Sequence, residues 1–132
     1  MLSLADAMTT NLKKIPCETS VVDAAKRMRD ERIGALAIER FGEDLKGAEG
    51  QVVGLITEAD IVRKAVAEEI DLAKTTVETV MMTPMITVEA SWPLEEAYDM
   101  MRDSGVRYLL VTQARKVVGL VSIRDLLVHL KE

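Results

Sequence analysis

The chain has 132 residues, 48% of them apolar and 30% charged, and carries a net charge of −5; that balance belongs to a soluble globular protein of one domain, or of two small halves sharing a core. The longest stretch without a charged residue, Thr79 to Val88, has ten residues, where a membrane helix needs about 18 to 20. Acidity and an aromatic content of 3% disfavour nucleic acid, whose binders concentrate Lys and Arg and often stack bases on aromatic rings.

The opening "MLSLADAMTT" lacks the basic flank and long apolar stretch of a signal peptide, and the lone Cys17 cannot form an internal disulfide, so the expected location is cytoplasmic. The first predicted strand is Leu12 to Cys17. A helix start follows at Ser20, where Ser20-Val21-Val22-Asp23 has the form of a capping box. Val21, Ala24, Ala25 and Met28 then give that helix one apolar face. Two short apolar strands follow, Ala35 to Glu39 and Val52 to Thr57. The Gly-rich charged stretch "RFGEDLKGAEGQ" joins them and reads as a lengthened hairpin loop. "GLITEAD", residues 54–60, closes the second strand and starts a helix over Ala59 to Ala67. The polar "EEIDLAKTT", residues 68–76, reads as a linker.

Beyond the linker the order repeats. A strand is predicted over Met85 to Val88. A helix start at Ser91, with Pro93 at a first helical position, leads into the stripe Leu94, Ala97, Tyr98, Met101. Strands over Tyr108 to Thr112 and Val117 to Ser122 are joined by the short "TQARK". "GLVSIRD", residues 119–125, then opens a last helix over Arg124 to Leu130.

The duplication is explicit. At an offset of 73, Ala7 to Ile38 lies over Val80 to Val111 without a gap, with Met8, Thr10, Ala24, Met28, Arg29, Asp30 and Leu36 recurring identically. At an offset of 65, "VVGLITEADIV" lies over "VVGLVSIRDLL", and the drop of eight places the extra residues in the first hairpin loop. The predicted architecture is α/β: two β-α-β-β-α repeats, residues 1–67 and 77–132, with 68–76 between them. Each unit alone buries too little surface to be comfortable, so the two are expected to pack as a pseudo-two-fold pair.

Gly-x-x-(Thr/Ser)-x-x-Asp at a strand-to-helix junction carries two readings. As local structure, Thr57 or Ser122 is an N-cap that accepts from a free N–H while the acidic residue three positions on bonds back to the cap amide, a contribution of about 0.5–2 kcal/mol. As a site, a helix N-terminus favours a phosphate, an ionised Asp accepts from vicinal ribose hydroxyls, and Gly54 or Gly119 leaves room for a flat base. Together these describe a nucleotide.

Repeat order, spacing and both complete closing motifs, with "MTPMITVEAS" opening one copy, resemble the tandem CBS domain family over about Leu4 to His129. The resemblance implies a non-enzymatic regulatory module that binds an adenosine-containing ligand (AMP, ADP, ATP or S-adenosylmethionine) in clefts between the repeats, requires no cofactor, forms a homodimer and signals to an effector protein. It further implies clefts built across the copies: Thr57 and Asp60 with Ile86, Val106, Arg107 and Leu110, and Ser122 and Asp125 with Lys13, Ile33, Gly34 and Ala37. Arg107 gives the first cleft a guanidinium able to reach a phosphate. Gly34 stands at that position in the second, so the Thr57/Asp60 cleft is expected to be the tighter.

Other residues invite less. His129 sits near a helix C-terminus, where a partly charged imidazole is mildly favourable. With one Cys and one His, neither a metal cluster nor a Cys-His pair has its material, so no catalytic or metal site is expected. Lys13-Lys14 and Arg63-Lys64 read as solvated faces. Trp92 and the methionines suit core, dimer surface or base pocket, with Met81 and Met82 the expected cleft or dimer contacts. The competing function is a ligand-free structural or dimerisation module for a partner protein, in which both motifs are capping boxes and nothing more.

Overall fold

In the computed structural model, which describes residues 2–42, 50–82 and 85–130, both copies fold into the α/β unit expected, with one element more. The first runs α1 (Leu4–Ala7), β1 (Lys14–Pro16), α2 (Val21–Glu31), β2 (Ala35–Arg40), β3 (Gln51–Thr57) and α3 (Glu58–Asp60), which passes into a π-helical stretch, Ile61–Val66. The second runs α4 (Val77–Val80), β4 (Thr87–Glu89), α5 (Leu94–Ser104), β5 (Tyr108–Gln113), β6 (Lys116–Ser122) and α6 (Ile123–Leu130). The opening helices α1 and α4 align at the offset of 73. Four residues are too few to show a period, so pattern alone misses them.

Each copy makes a three-stranded sheet, β1-β2-β3 or β4-β5-β6. The first pair is parallel, with a helix as its crossover, and the second is an antiparallel hairpin. A register shift falls between Ile38 and Glu39 in one sheet and between Val111 and Thr112 in the other, at aligned positions. Residues 43–49, most of the lengthened hairpin loop, lie outside the described residues. The second hairpin turns through Ala114 and Arg115, both left-handed at φ 52° and 65°.

The helix starts differ in detail from expectation. The Ser20 hydroxyl accepts from Asp23 N at 3.2 Å, but the Asp23 carboxylate returns no bond among the described residues, so the cap is one-sided. Pro93 is the N-cap of α5 and not its first residue, because its ψ of 146° is extended. Both helices end on a left-handed residue at the aligned positions Arg32 (φ 56°) and Gly105 (φ 69°).

The chain divides into two compact units, Lys13–Met85 and Met1–Leu12 with Ile86–Glu132, and this division does not follow the repeats. In the unit Lys13–Met85, Val21, Ala24 and Met28 of α2 pack with Leu36, Ile38 and Ile56 of the sheet, and Val77 and Val80 of α4 complete that core. Thr75 O accepts from Val21 N at 2.8 Å and Thr19 O from Val77 N at 2.8 Å, so the end of the expected linker is pinned to the start of α2. In the other unit, Leu94, Ala97 and Met101 of α5 pack with Leu109, Val111 and Val121, and Leu4 of α1 is fully buried among them. Leu4 N donates to Trp92 O and Ala5 N to Ala90 O, each at 3.0 Å. The opening helix of each copy therefore completes the core of the other. No helix among the described residues is long and apolar enough to cross a membrane.

Candidate functional site

Each sheet's hairpin delivers its motif at the end of the sheet's last strand, β3 or β6. Thr57, last residue of β3, is extended (φ −118°, ψ 166°), so its hydroxyl turns back over the helix start. Its Oγ1 accepts from Asp60 N at 3.2 Å and donates to Asp60 Oδ2 at 3.0 Å, while Thr57 N donates to the same carboxylate oxygen at 2.9 Å. The other oxygen, Oδ1, lies 3.1 Å from Lys64 Nζ. Thr57 and Asp60 are the chain's buried polar residues among those described, 6% and 7% exposed, and burial at that level requires the partners just named.

The second motif is looser. Ser122 N donates to Asp125 Oδ2 at 2.9 Å and Asp125 N to Ser122 Oγ at 3.1 Å, and both residues are half-buried. Position 129, aligned with Lys64, is His129, whose Nδ1 lies 3.0 Å from the Asp125 carbonyl oxygen. Asp125 thus has no cation on its carboxylate among the described residues. Lys64, read from sequence as part of a solvated basic run, is instead the partner of the motif's Asp. The acid-before-base i, i+4 spacing of Asp60 and Lys64 was the signal available.

Two expectations about the motifs change. The helix N-terminus is less open to an anion than its position implies, because Glu58 N donates to Gly34 O at 3.0 Å and Ile123 N to Arg107 O at 2.9 Å. With Asp60 N and Asp125 N held by the caps, Ala59 and Arg124 alone keep first-turn N–H groups without a protein acceptor among the described residues. The space beside each glycine is also occupied. A β-carbon on Gly54 would stand 2.5 Å from Met81 Sδ, and one on Gly119 2.8 Å from Thr9 O and 2.9 Å from Met8 Sδ. Met8 and Met81 are aligned, so each glycine admits the segment leading out of an opening helix, fastened by Met82 N to Leu55 O at 2.9 Å in one unit and by Thr9 N to Leu120 O at 2.8 Å in the other. The flat base assigned to that space is displaced by a methionine.

Thr57, Asp60, Lys13, Ile33, Gly34 and Ala37 lie in the unit Lys13–Met85, and Ser122, Asp125, Ile86, Val106, Arg107 and Leu110 in the other. Ile33 is partly buried against the first core, and Ile86 and Val106 against the second. Ala37 and Leu110 are buried at the centres of β2 and β5 and point away from Leu36 and Ile38, or Leu109 and Val111, which are core. Arg107 is exposed, and its side chain makes no hydrogen bond or ion pair among the described residues. Lys13 is exposed with Nζ 3.8 Å from Glu31 Oε1. The Glu31 carboxyl is held below the usual range by the hydrogen bond from Arg27 and by the charges of Arg27 and Lys13. Met81, Trp92 and Met100 pack against core, and Cys17 is buried with Sγ 3.2 Å from Glu18 Oε2.

A family model for the CBS domain matches residues 4–67 and 77–132. CBS domain-containing protein YhcV of Bacillus subtilis is 27% identical over 129 residues, 98% of this chain and 86% of that protein. Other curated relatives are longer, and the chain spans 54% of one and 66% of another. Among solved structures, a proposed signal-transduction protein with CBS domains from Burkholderia ambifaria MC40-6 superposes with a TM-score of 0.81 at 29% identity, over 96% of this chain and 90% of that one. A hexameric CBS-CP12 protein from bloom-forming cyanobacteria gives 0.80 at 26% identity, over 96% and 70%. Two matched repeats, two sheets of one topology and a duplicated strand-to-helix motif converge: the chain belongs to the CBS domain family, as a tandem pair.

Proposed function

We propose that this tandem pair is a non-enzymatic regulatory module that binds an adenosine-containing ligand, with Thr57 and Asp60 at its principal site. The observation that carries the reading is the buried carboxylate of Asp60, fixed at the end of β3 and repeated, less buried, as Asp125 at the end of β6. A fixed ionised carboxylate suits the vicinal hydroxyls of a ribose. In the proposed site Thr57 and Asp60 are joined by Ile86, Val106, Arg107 and Leu110, with the Arg107 guanidinium, unpaired among the described residues, serving phosphate. The lesser site joins Ser122 and Asp125 to Lys13, Ile33, Gly34 and Ala37. Ligand stabilises whichever conformation holds it better, and an effector protein reads the resulting population. A cytoplasmic setting belongs to the same reading, since one cysteine offers nothing to an oxidising compartment.

The module is further proposed to act as a homodimer. Val62 and Val66 stand 58% and 54% exposed one turn apart on the π-helical stretch, and Leu127 and Val128 are exposed on α6; exposed apolar stripes favour burial against another copy. The hexameric relative supports assembly in the family.

A ligand-free structural module is the second reading, favoured by the internal satisfaction of both Asp60 oxygens and by Met81 beside Gly54. Calorimetric titration of AMP and ATP into the native protein and into the Asp60→Ala and Asp125→Ala variants separates the two. The nucleotide reading expects binding that Asp60→Ala weakens more than Asp125→Ala. Equal losses overturn the ranking of the sites, and absence of binding to the native protein leaves the structural reading standing.

A further inference from the structure

Of the atoms that an anion needs at the first motif, the backbone supplies few. The N–H groups of Glu58 and Asp60 are taken by Gly34 O and Thr57 Oγ1, which leaves Ala59. The ammonium of Lys64 is different in kind. It sits 3.1 Å from Asp60 Oδ1 and 3.5 Å from Met81 O, yet its side chain is 46% exposed while that of Asp60 is 9% exposed. One end of the ion pair is buried and held by Thr57, and the other is half-exposed to solvent. The exposed end also stands on a π-helical stretch, where Ala67 N reaches Val62 O at 2.9 Å and Ile70 N reaches Ala65 O at 3.2 Å. Such stretches concentrate at functional positions.

Building on the proposed nucleotide site, we infer that Lys64 sets its ligand class: the Thr57/Asp60 motif selects a phosphorylated nucleoside over the unphosphorylated one, because Lys64 exchanges Asp60 for the phosphate as the ribose takes its place on the carboxylate. The exchange keeps the buried carboxylate satisfied and the exposed ammonium paired. Ribose hydroxyls replace the ammonium on Asp60 Oδ1, and the ammonium gains the phosphate. An uncharged nucleoside would give Asp60 its hydroxyls and leave Lys64 with the neutral Met81 carbonyl and water but no counter-charge. The second motif carries no equivalent, since His129 turns to the main-chain oxygen of Asp125, so any binding there discriminates less by charge.

The test titrates AMP and adenosine separately into the native protein and into Lys64→Gln and Lys64→Arg, with thermal melts to confirm folding. The native protein is expected to prefer AMP over adenosine, and Lys64→Gln to reduce that preference roughly tenfold, the scale of one charge-assisted hydrogen bond, with adenosine affinity kept. Lys64→Arg retains the preference. Added salt weakens AMP binding more steeply in the native protein than in Lys64→Gln. An unchanged AMP-to-adenosine ratio in a folded Lys64→Gln overturns the role of Lys64 while leaving the nucleotide site intact. If neither compound binds the native protein, the site itself fails and the inference with it.

Discussion

The carbonyl oxygen of Thr9 lies 2.8 Å from where a β-carbon on Gly119 would stand, and the same Thr9 exchanges two main-chain hydrogen bonds with Leu120. Main chain cannot rotate away as a side chain can. At the aligned Gly54 the obstruction is the flexible Met81 side chain, at 2.5 Å from its sulfur. Gly119→Ala is therefore expected to cost about 2–3 kcal/mol and Gly54→Ala nearer 1 kcal/mol, an ordering that urea unfolding of the two variants checks.

The two caps differ in how much depends on them. Thr57→Val removes both the acceptor for Asp60 N and the donor to Asp60 Oδ2 from a buried site, whereas Ser122→Ala removes one acceptor at a half-buried one. Losses of about 2 kcal/mol for Thr57→Val and about 1 kcal/mol for Ser122→Ala are expected from denaturant midpoints. Similar losses would mean that the burial of Asp60 adds nothing.

Three of the four non-glycine residues with left-handed conformations among those described mark places where a substitution can match the sequence to the backbone. Gly105 ends α5 at φ 69°, while its counterpart Arg32 ends α2 at φ 56°. Ala114 and Arg115 make a two-residue hairpin turn with both φ positive, the geometry that Asn-Gly adopts most readily. Arg32→Gly and the pair Ala114→Asn with Arg115→Gly should each raise stability by roughly 1 kcal/mol, visible as higher melting temperatures.

Assembly is tested on the exposed stripe. A Val62→Lys, Val66→Lys variant places two charges on residues 58% and 54% exposed, so the fold is expected to tolerate it. Light scattering after gel filtration should show a dimer for the native protein and a monomer for the variant; unchanged mass in the variant places the dimer contact elsewhere.

What the sequence disclosed was local or repeated. The motif at residues 54–60, the stripes of α2 and α5 and the hairpins are written in spacings of two to four residues, and the duplication lets each copy check the other. Ser20 and Pro93 were misjudged only in cap detail, where one rotamer or one ψ decides. The contents of the site were harder to read. Nothing in the spacing says that the carbonyls of Gly34 and Arg107 reach the first N–H of α3 and α6, or that Met81 and Met8 lie against the motif glycines. Those contacts join residues on different elements, far beyond the reach of a local spacing. Lys64 was legible by its i, i+4 spacing, but the same Asp60 already had a local explanation in Thr57.

Cutting the chain by its repeats is expected to fail where cutting it by its cores succeeds. A fragment of residues 13–85 keeps α4 with the core it completes and should unfold cooperatively. A fragment of residues 1–67 lacks Val77 and Val80 and should not. Circular dichroism melts of the two peptides decide it.

The traded opening helices also set an order of events at the ribosome. Residues 13–85 are contiguous, so their core can close while the rest of the chain is still being made. Leu4 is buried with Val121 and Leu126, which are made only after residues 13–85 are complete. Helix α1 must therefore wait, its apolar face uncovered, until β6 and α6 have been made, and the second core closes as the long-range, later step of folding.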